Sequence, residues 1–165
     1  MALNDVRIAY TPYSSTPTYT FLVDDRGTSS DTVIYPGDPI KILAGESGNY
    51  AGHLATGDPE YGTDIVIGIA ASTSTETASV NGTVEAYMPL PGMIYKCKAT
   101  TPANLAVGVV LDTVTFDLTS TTYTVDEDEG SDENVHGLRI MGYDSAGYVY
   151  FIMKGGVTIL DSVVA

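Results

Sequence analysis

The feature that most constrains this chain is a series of short stretches in which apolar residues alternate, each cut off by glycine or proline. The longest such region runs from Asp64 to Ala99, DIVIGIAASTSTETASVNGTVEAYMPLPGMIYKCKA. Ile65, Ile67, Ile69 and Ala71 fall on one face of a strand, and Val66, Gly68 and Ala70 on the other. Apolar groups on both faces place that strand mid-sheet or between layers. A polar loop follows, then a second strand in which Val84, Ala86 and Met88 alternate against Glu85 and Tyr87. Pro89-Leu90-Pro91-Gly92 forces a corner, because proline fixes φ and glycine accepts positive φ. Beyond it Met93, Tyr95, Cys97 and Ala99 face one way and Ile94, Lys96 and Lys98 the other.

The same vocabulary recurs along the chain. Thr18–Val23 reads as a strand closed by Asp24-Asp25-Arg26-Gly27, and Thr32–Tyr35 and Pro39–Leu43 flank a Pro36-Gly37-Asp38 turn. Gly45 to Pro59 reads as a glycine-rich loop. Val114, Phe116 and Leu118 alternate with threonine and aspartate, and Tyr123 and Val125 follow. The clearest hairpin is C-terminal: Leu138 and Ile140 climb to a Ser145-Ala146-Gly147 turn, and Tyr148–Met153 returns. Val149, Phe151 and Met153 face one way; Tyr148, Tyr150 and Ile152 face the other. Val157–Leu160 supplies a last short strand, and Thr101-Pro102 starts no more than a helical turn. The expected fold is all-β, a compact β-barrel or β-sandwich of about ten strands. Residues 1–30 are expected to form an N-terminal arm and first strand, and residues 31–165 the β domain.

Charge excludes some partners. Seven Lys and Arg stand against twenty-one Asp and Glu, a formal charge of −14. Polyphosphate binding needs clustered cations, so neither nucleic acid nor an anionic membrane is an expected partner. No apolar run approaches the ~20 residues of a membrane helix, and MALNDVRIAY has no signal-peptide core. A soluble chain made in the cytoplasm is expected. Cys97 is the single cysteine, so no intrachain disulfide framework arises.

The residues suited to chemistry do not assemble into a catalytic pattern. Gly45-Glu46-Ser47-Gly48 misses the spacing of a nucleophile elbow. Cys97 alternates with Tyr95 and Ala99 and reads as a small buried hydrophobe. His53 and His136 lack paired zinc-ligand spacing and read as surface loop residues. In the acidic run 126–133, Asp126 and Asp128 fit the first and third positions of a calcium loop, but Ser131 and Gly137 stand where glycine and glutamate are required. That run reads as a solvated loop. Asn81-Gly82-Thr83 fits a glycosylation sequon but reads as a tight turn needing positive φ. Neither an enzyme nor a cofactor nor a metal site is expected.

The order Tyr35-Pro36-Gly37-Asp38-Pro39-Ile40-Lys41, Val66-Ile67-Gly68-Ile69-Ala70, then Val84-Glu85-Ala86-Tyr87-Met88-Pro89-Leu90-Pro91-Gly92 resembles the small decoration (cement) proteins of tailed-bacteriophage heads. Thr115-Phe116-Asp117-Leu118-Thr119, Tyr123-Thr124-Val125-Asp126 and the closing hairpin extend the similarity over residues 33–160. The resemblance implies a β-rich virion protein on the outer capsid surface. It would clamp neighbouring major capsid subunits, as a homotrimer, and stabilise the shell. The proline-punctuated N-terminus, with Tyr10, Tyr13 and Tyr19, can be a frayed end or an arm across a neighbouring subunit. As an arm, Leu3, Val6, Ile8, Tyr10 and Tyr13 are the expected capsid contacts. Tyr87 and Tyr148 on strand faces would also suit a carbohydrate-binding or adhesin-like module, and a phage tail or baseplate role uses the same architecture.

Overall fold

A computed structural model describes residues 6–24, 33–43 and 50–158. Within them the alternating stretches become twelve strands: β1 (Arg7–Tyr10), β2 (Thr18–Val23), β3 (Pro39–Ile42), β4 (Ala51–His53), β5 (Val66–Ala70), β6 (Gly82–Tyr87), β7 (Ile94–Lys98), β8 (Thr113–Val114), β9 (Phe116–Thr119), β10 (Thr122–Val125), β11 (Leu138–Tyr143) and β12 (Tyr148–Met153). Among the described residues the only helical backbone is two single 3-10 turns, Pro102–Asn104 and Val107–Val109.

Two five-stranded antiparallel sheets pack together as a sandwich, and the molecule is not a closed barrel. The first sheet runs β1-β7-β12-β11-β8, the second β2-β6-β5-β3-β4, and β9 and β10 form a separate hairpin. The inward residues of β7, β11 and β12 fill the main core: Tyr95, Cys97, Leu138, Ile140, Val149 and Phe151. They meet Val66 and Ile69 from β5, with Phe116 and Tyr123 from the hairpin. Phe116 sets its edge against Tyr123 (5.8 Å) and Phe151 (5.5 Å), the offset geometry that ring quadrupoles favour. The Tyr123 hydroxyl donates to the Leu54 carbonyl at 2.7 Å, so burying the ring strands no polar group. A second apolar cluster, including Val23, Ile34, Ile40, Ile67, Ala70 and Val84, lies on the other face of the second sheet. The edge strands β2 and β4 approach each other there, so this sheet curls around its own small core.

Strand β5 separates the two cores, as its doubly apolar sequence requires, but its faces differ from simple alternation. Val66 and Ile69 share the main core, while Ile67 and Ala70 share the second. The cause is a bulge: β3 pairs Ile40 with Gly68 and Lys41 with Val66, and Gly68 takes φ +149. A Cβ at Gly68 would stand 2.1 Å from the Tyr87 carbonyl oxygen, so only glycine fits.

Other local expectations are corrected. Residues 33–35 make no strand; Ile34 is instead held by Ser74, whose Oγ accepts its N–H at 2.9 Å. The glycine-rich stretch 45–59 contains β4. His136 is buried, with Nδ1 2.9 Å from the Thr113 carbonyl oxygen, because the chain pairs Glu60 with His136 across the sandwich end. Gly82 has no positive φ; its glycine is needed because a Cβ would sit 2.1 Å from the Glu76 nitrogen. Within the acidic run, Glu127 is buried rather than solvated. The last short strand is reduced, among the described residues, to a Thr158 bridge with Val66.

Candidate functional site

Residues 6–23, read as a frayed end or an arm leading into a first strand, are extended and stitched into the domain. β1 pairs with β7 and forms one edge of the first sheet; β2 pairs with β6 and forms one edge of the second. Thr11-Pro12 and Thr16-Pro17 break pairing between them, which lets the chain cross from sheet to sheet. Of the five residues expected to contact a partner, Leu3 lies outside the described residues. Val6 is 1% exposed and belongs to the main core. Ile8 packs against that core opposite Tyr95. Tyr10 and Tyr13 remain at the surface, at 54% and 41% exposure. Tyr13 is anchored by its hydroxyl, which donates to the Pro91 carbonyl at 3.0 Å. Tyr19 and Leu22 on β2 are exposed as well, and Leu22 was not legible as a surface residue.

A second surface is built by register. Arg7 pairs with Lys96, Lys96 with Tyr150, Lys98 with Tyr148, Tyr10 with Ile94, and Arg139 with Ile152. Directly paired residues share a sheet face, and their neighbours Tyr95, Cys97, Val149 and Phe151 point into the core. The outer face of the first sheet therefore carries Arg7, Lys96, Lys98 and Arg139 among Tyr10, Ile94, Tyr148, Tyr150 and Ile152. Four of the chain's seven basic residues project there. Lys98 stands 4.1 Å and Lys96 5.2 Å from the Tyr148 ring centroid, a cation–π arrangement that fixes both ammonium groups. The Lys98 ammonium also donates to the Ala146 carbonyl. At one margin Asp144 accepts the Tyr148 N–H, which with the Tyr150 hydroxyl and Lys98 holds its carboxyl below the usual range. At the other margin Arg139 pairs with Glu133.

Charged groups elsewhere serve the fold. Lys41 Nζ donates to Asp58 Oδ2 (2.6 Å) and Asp64 Oδ1 (2.7 Å), pinning the 54–64 segment to β3. Burial alone would lower the Lys41 pKa, but the two carboxylates outweigh it and raise it. Burial likewise raises Asp58, while Asp64, bonded to Lys41 and the Glu60 N–H, ends below its ordinary value. Glu127 accepts the Thr101 N–H (3.0 Å) and Glu129 the Thr115 N–H (3.1 Å), so the 126–133 loop is tied down at two points. Asp126 is pushed up to about 6 by burial, by its bond with Asp128 and by the Glu129 charge. No group of three or more His, Cys, Asp or Glu among the described residues is placed to hold a metal ion.

A cleft of about 630 Å³ opens between the second sheet and the β9–β10 hairpin, with Val23, Ile34, Ala51, Leu118 and Tyr123 in its walls. Two polar members face each other: His53 Nε2 lies 3.2 Å from Asp38 Oδ2. Asp38 also accepts the Tyr35 N–H at 2.7 Å, so this pair closes the 35–38 turn. Cys97, fully buried on β7, donates from Sγ to the Tyr123 carbonyl at 3.2 Å. Comparisons of the chain with protein-family models, with curated proteins and with solved structures find no significant match.

Proposed function

We propose that this chain is a structural protein of a tailed-bacteriophage virion that binds the outer capsid surface and clamps neighbouring major capsid subunits, acting as a homotrimer. The observation that carries this reading is the use made of residues 7–23. They supply an edge strand to each sheet and leave Tyr10, Tyr13, Tyr19 and Leu22 exposed. Edge strands offer unpaired backbone groups that a partner can meet, and tyrosine adds contact area at low entropic cost. Around a closed shell, many identical contacts give avidity even where each is modest. The acidity of the chain fits a place outside the packaged DNA. The carbohydrate-binding alternative draws less support, because the Tyr148 ring is already covered by lysine ammonium groups.

The test is cosedimentation with undecorated capsid shells. Wild-type protein should pellet with shells, and a Tyr10→Ala/Tyr13→Ala/Tyr19→Ala variant should bind at least about tenfold more weakly, as for loss of an aromatic anchor. The triple variant removes exposed side chains and one surface hydrogen bond, from Tyr13 to the Pro91 carbonyl and worth about 1 kcal/mol, so the fold should persist. Deleting residues 1–13 is the poorer probe, since it also strips β1 and the buried Val6 from the sandwich. Absence of wild-type binding, or unchanged binding by the triple variant, would refute the proposal.

A further inference from the structure

We propose that the basic, tyrosine-lined outer face of the first sheet docks the acidic 126–133 loop of a second copy of this chain. This deepens the assembly reading above by naming a contact between copies, but it needs no capsid. The first observation is segregation. In a chain of −14, Arg7, Lys96, Lys98 and Arg139 come together from β1, β7 and β11. No ion pair joins Arg7, Lys96 or Lys98 to a carboxylate of the described residues. Two ammonium groups gathered on the single Tyr148 ring repel each other, and an incoming carboxylate relieves that. The apolar part of the face, Tyr10, Ile94, Tyr150 and Ile152, matches the tyrosine-, arginine-rich composition of interface centres.

The second observation is that the same chain carries the complementary patch. Asp126, Glu127, Asp128, Glu129, Asp132 and Glu133 fall within eight residues. The loop is held in shape by its bonds to Thr101, Thr115 and Asn104, the last donating to Asp128 at 2.7 Å. It therefore loses little freedom on docking. Asp128 and Asp132 remain exposed, and Glu133, also exposed, already pairs with Arg139 of its own chain. Six carboxylates within eight residues repel one another, and cations from outside would ease that repulsion. The overall repulsion between two acidic chains does not defeat the contact, because charges beyond ~8 Å are screened at physiological salt. Face and loop are unlike patches, so the contact is made twice about a two-fold axis or repeated around a ring.

The experiment measures the mass of the full chain by light scattering and sedimentation velocity across concentration. Wild-type protein should associate, and association should weaken as salt is raised. Lys96→Glu/Lys98→Glu on the face, and Asp128→Lys/Asp132→Lys on the loop, should each raise the dissociation constant at least about tenfold. The decisive arm mixes the two variants: the acidic face now meets the basic loop, and association should return between unlike chains. Circular dichroism of each variant confirms the strand signal, and Lys96→Ala/Lys98→Ala replaces the reversed pair if that variant loses it. A monomeric wild type at every concentration overturns the inference. So does unchanged association in either variant, or a mixture that stays monomeric. Failure to bind shells would sink the capsid reading alone and leave this result untouched.

Discussion

Replacing Gly68 by alanine tests the architecture at the point where the two cores are divided. Gly68 occupies φ +149, a region L-residues rarely adopt, and forcing alanine there costs about 1–3 kcal/mol. The added Cβ would also stand 2.1 Å from the Tyr87 carbonyl oxygen, far inside van der Waals contact. Backbone cannot swing away as a side chain can, so β6 must shift relative to β5. That loosens the Ile69↔Tyr87 and Ala70↔Ala86 pairings, at about 1 kcal/mol for each hydrogen bond weakened. Together these give about 3–5 kcal/mol, a large share of the ~5–15 kcal/mol that holds a typical domain. The assay is urea unfolding followed by circular dichroism, with the midpoint falling and the slope unchanged; melting should drop by roughly 6–20 °C. Gly142→Ala is the control. It too sits at a register shift, in β11, but a Cβ there meets nothing within 4 Å. Its effect should stay below about 1 kcal/mol. A Gly68→Ala protein within about 1 kcal/mol of wild type would refute the bulge as the device that separates the cores.

Two further predictions concern charge. Lys41→Met leaves Asp58 and Asp64 facing each other without their cation, and should cost about 2–3 kcal/mol at pH 7. The loss should shrink at pH 4 as the carboxylates protonate, and urea midpoints at the two pH values check this. For Asp126 the sign runs the other way from an ordinary paired carboxylate. Its folded pKa, raised from 3.8 to about 6, means that between these values the folded chain holds a proton that the unfolded chain has released. Stability therefore falls as pH rises through that window and levels off above it. Asp126→Asn should abolish that fall. The gain at pH 8 should be only about 1 kcal/mol, because the side chain is only partly buried and solvent screens it, and melting curves at pH 4 and pH 8 would reveal it.

The central strands of the first sheet, β7, β12 and β11, were plain in the sequence. Alternation in 93–99 and 148–153 put Tyr95 and Cys97, and Val149 and Phe151, on one face of their strands and Lys96 and Lys98, and Tyr148 and Tyr150, on the other, and the structure turns the first set into the core. What alternation cannot express is an inserted residue. The Gly68 bulge turns Ile67 and Ile69 to opposite faces, although period two puts them on the same one. β4 was hidden because three residues, Ala51-Gly52-His53, are too few to display a period. The basic face was half legible. Its lysines shared one face of their strand and its tyrosines one face of theirs, but the two meet, and Arg7 and Arg139 join them, only through a strand order in which β1 neighbours β7 and β12 neighbours β11. Such long-range pairing leaves no local signature. The same gap explains the N-terminus: Val6 and Ile8 looked like the apolar side of a free arm, and are the apolar side of an edge strand.

The two edge strands supplied by that N-terminus are not equivalent, and the difference says where a partner would be met. β1 carries Arg7 and an irregular step between Ile8 and Tyr10, both devices that discourage further strand pairing. β2, Thr18-Tyr19-Thr20-Phe21-Leu22-Val23, has no charge, no proline and an unbroken register with β6. Thr18, Tyr19, Thr20 and Leu22 are exposed, so side chains on both of its faces are accessible along much of its length. An uncharged strand of high β propensity left in this state invites indiscriminate pairing. At contact distance the chain's acidity protects it only as far as local carboxylates reach, since more distant charge is screened. A protein that keeps such an edge gains from it only if a specific surface covers it. On that argument β2, with Tyr13 beside it, is the centre of the proposed capsid contact, and β1 its rim.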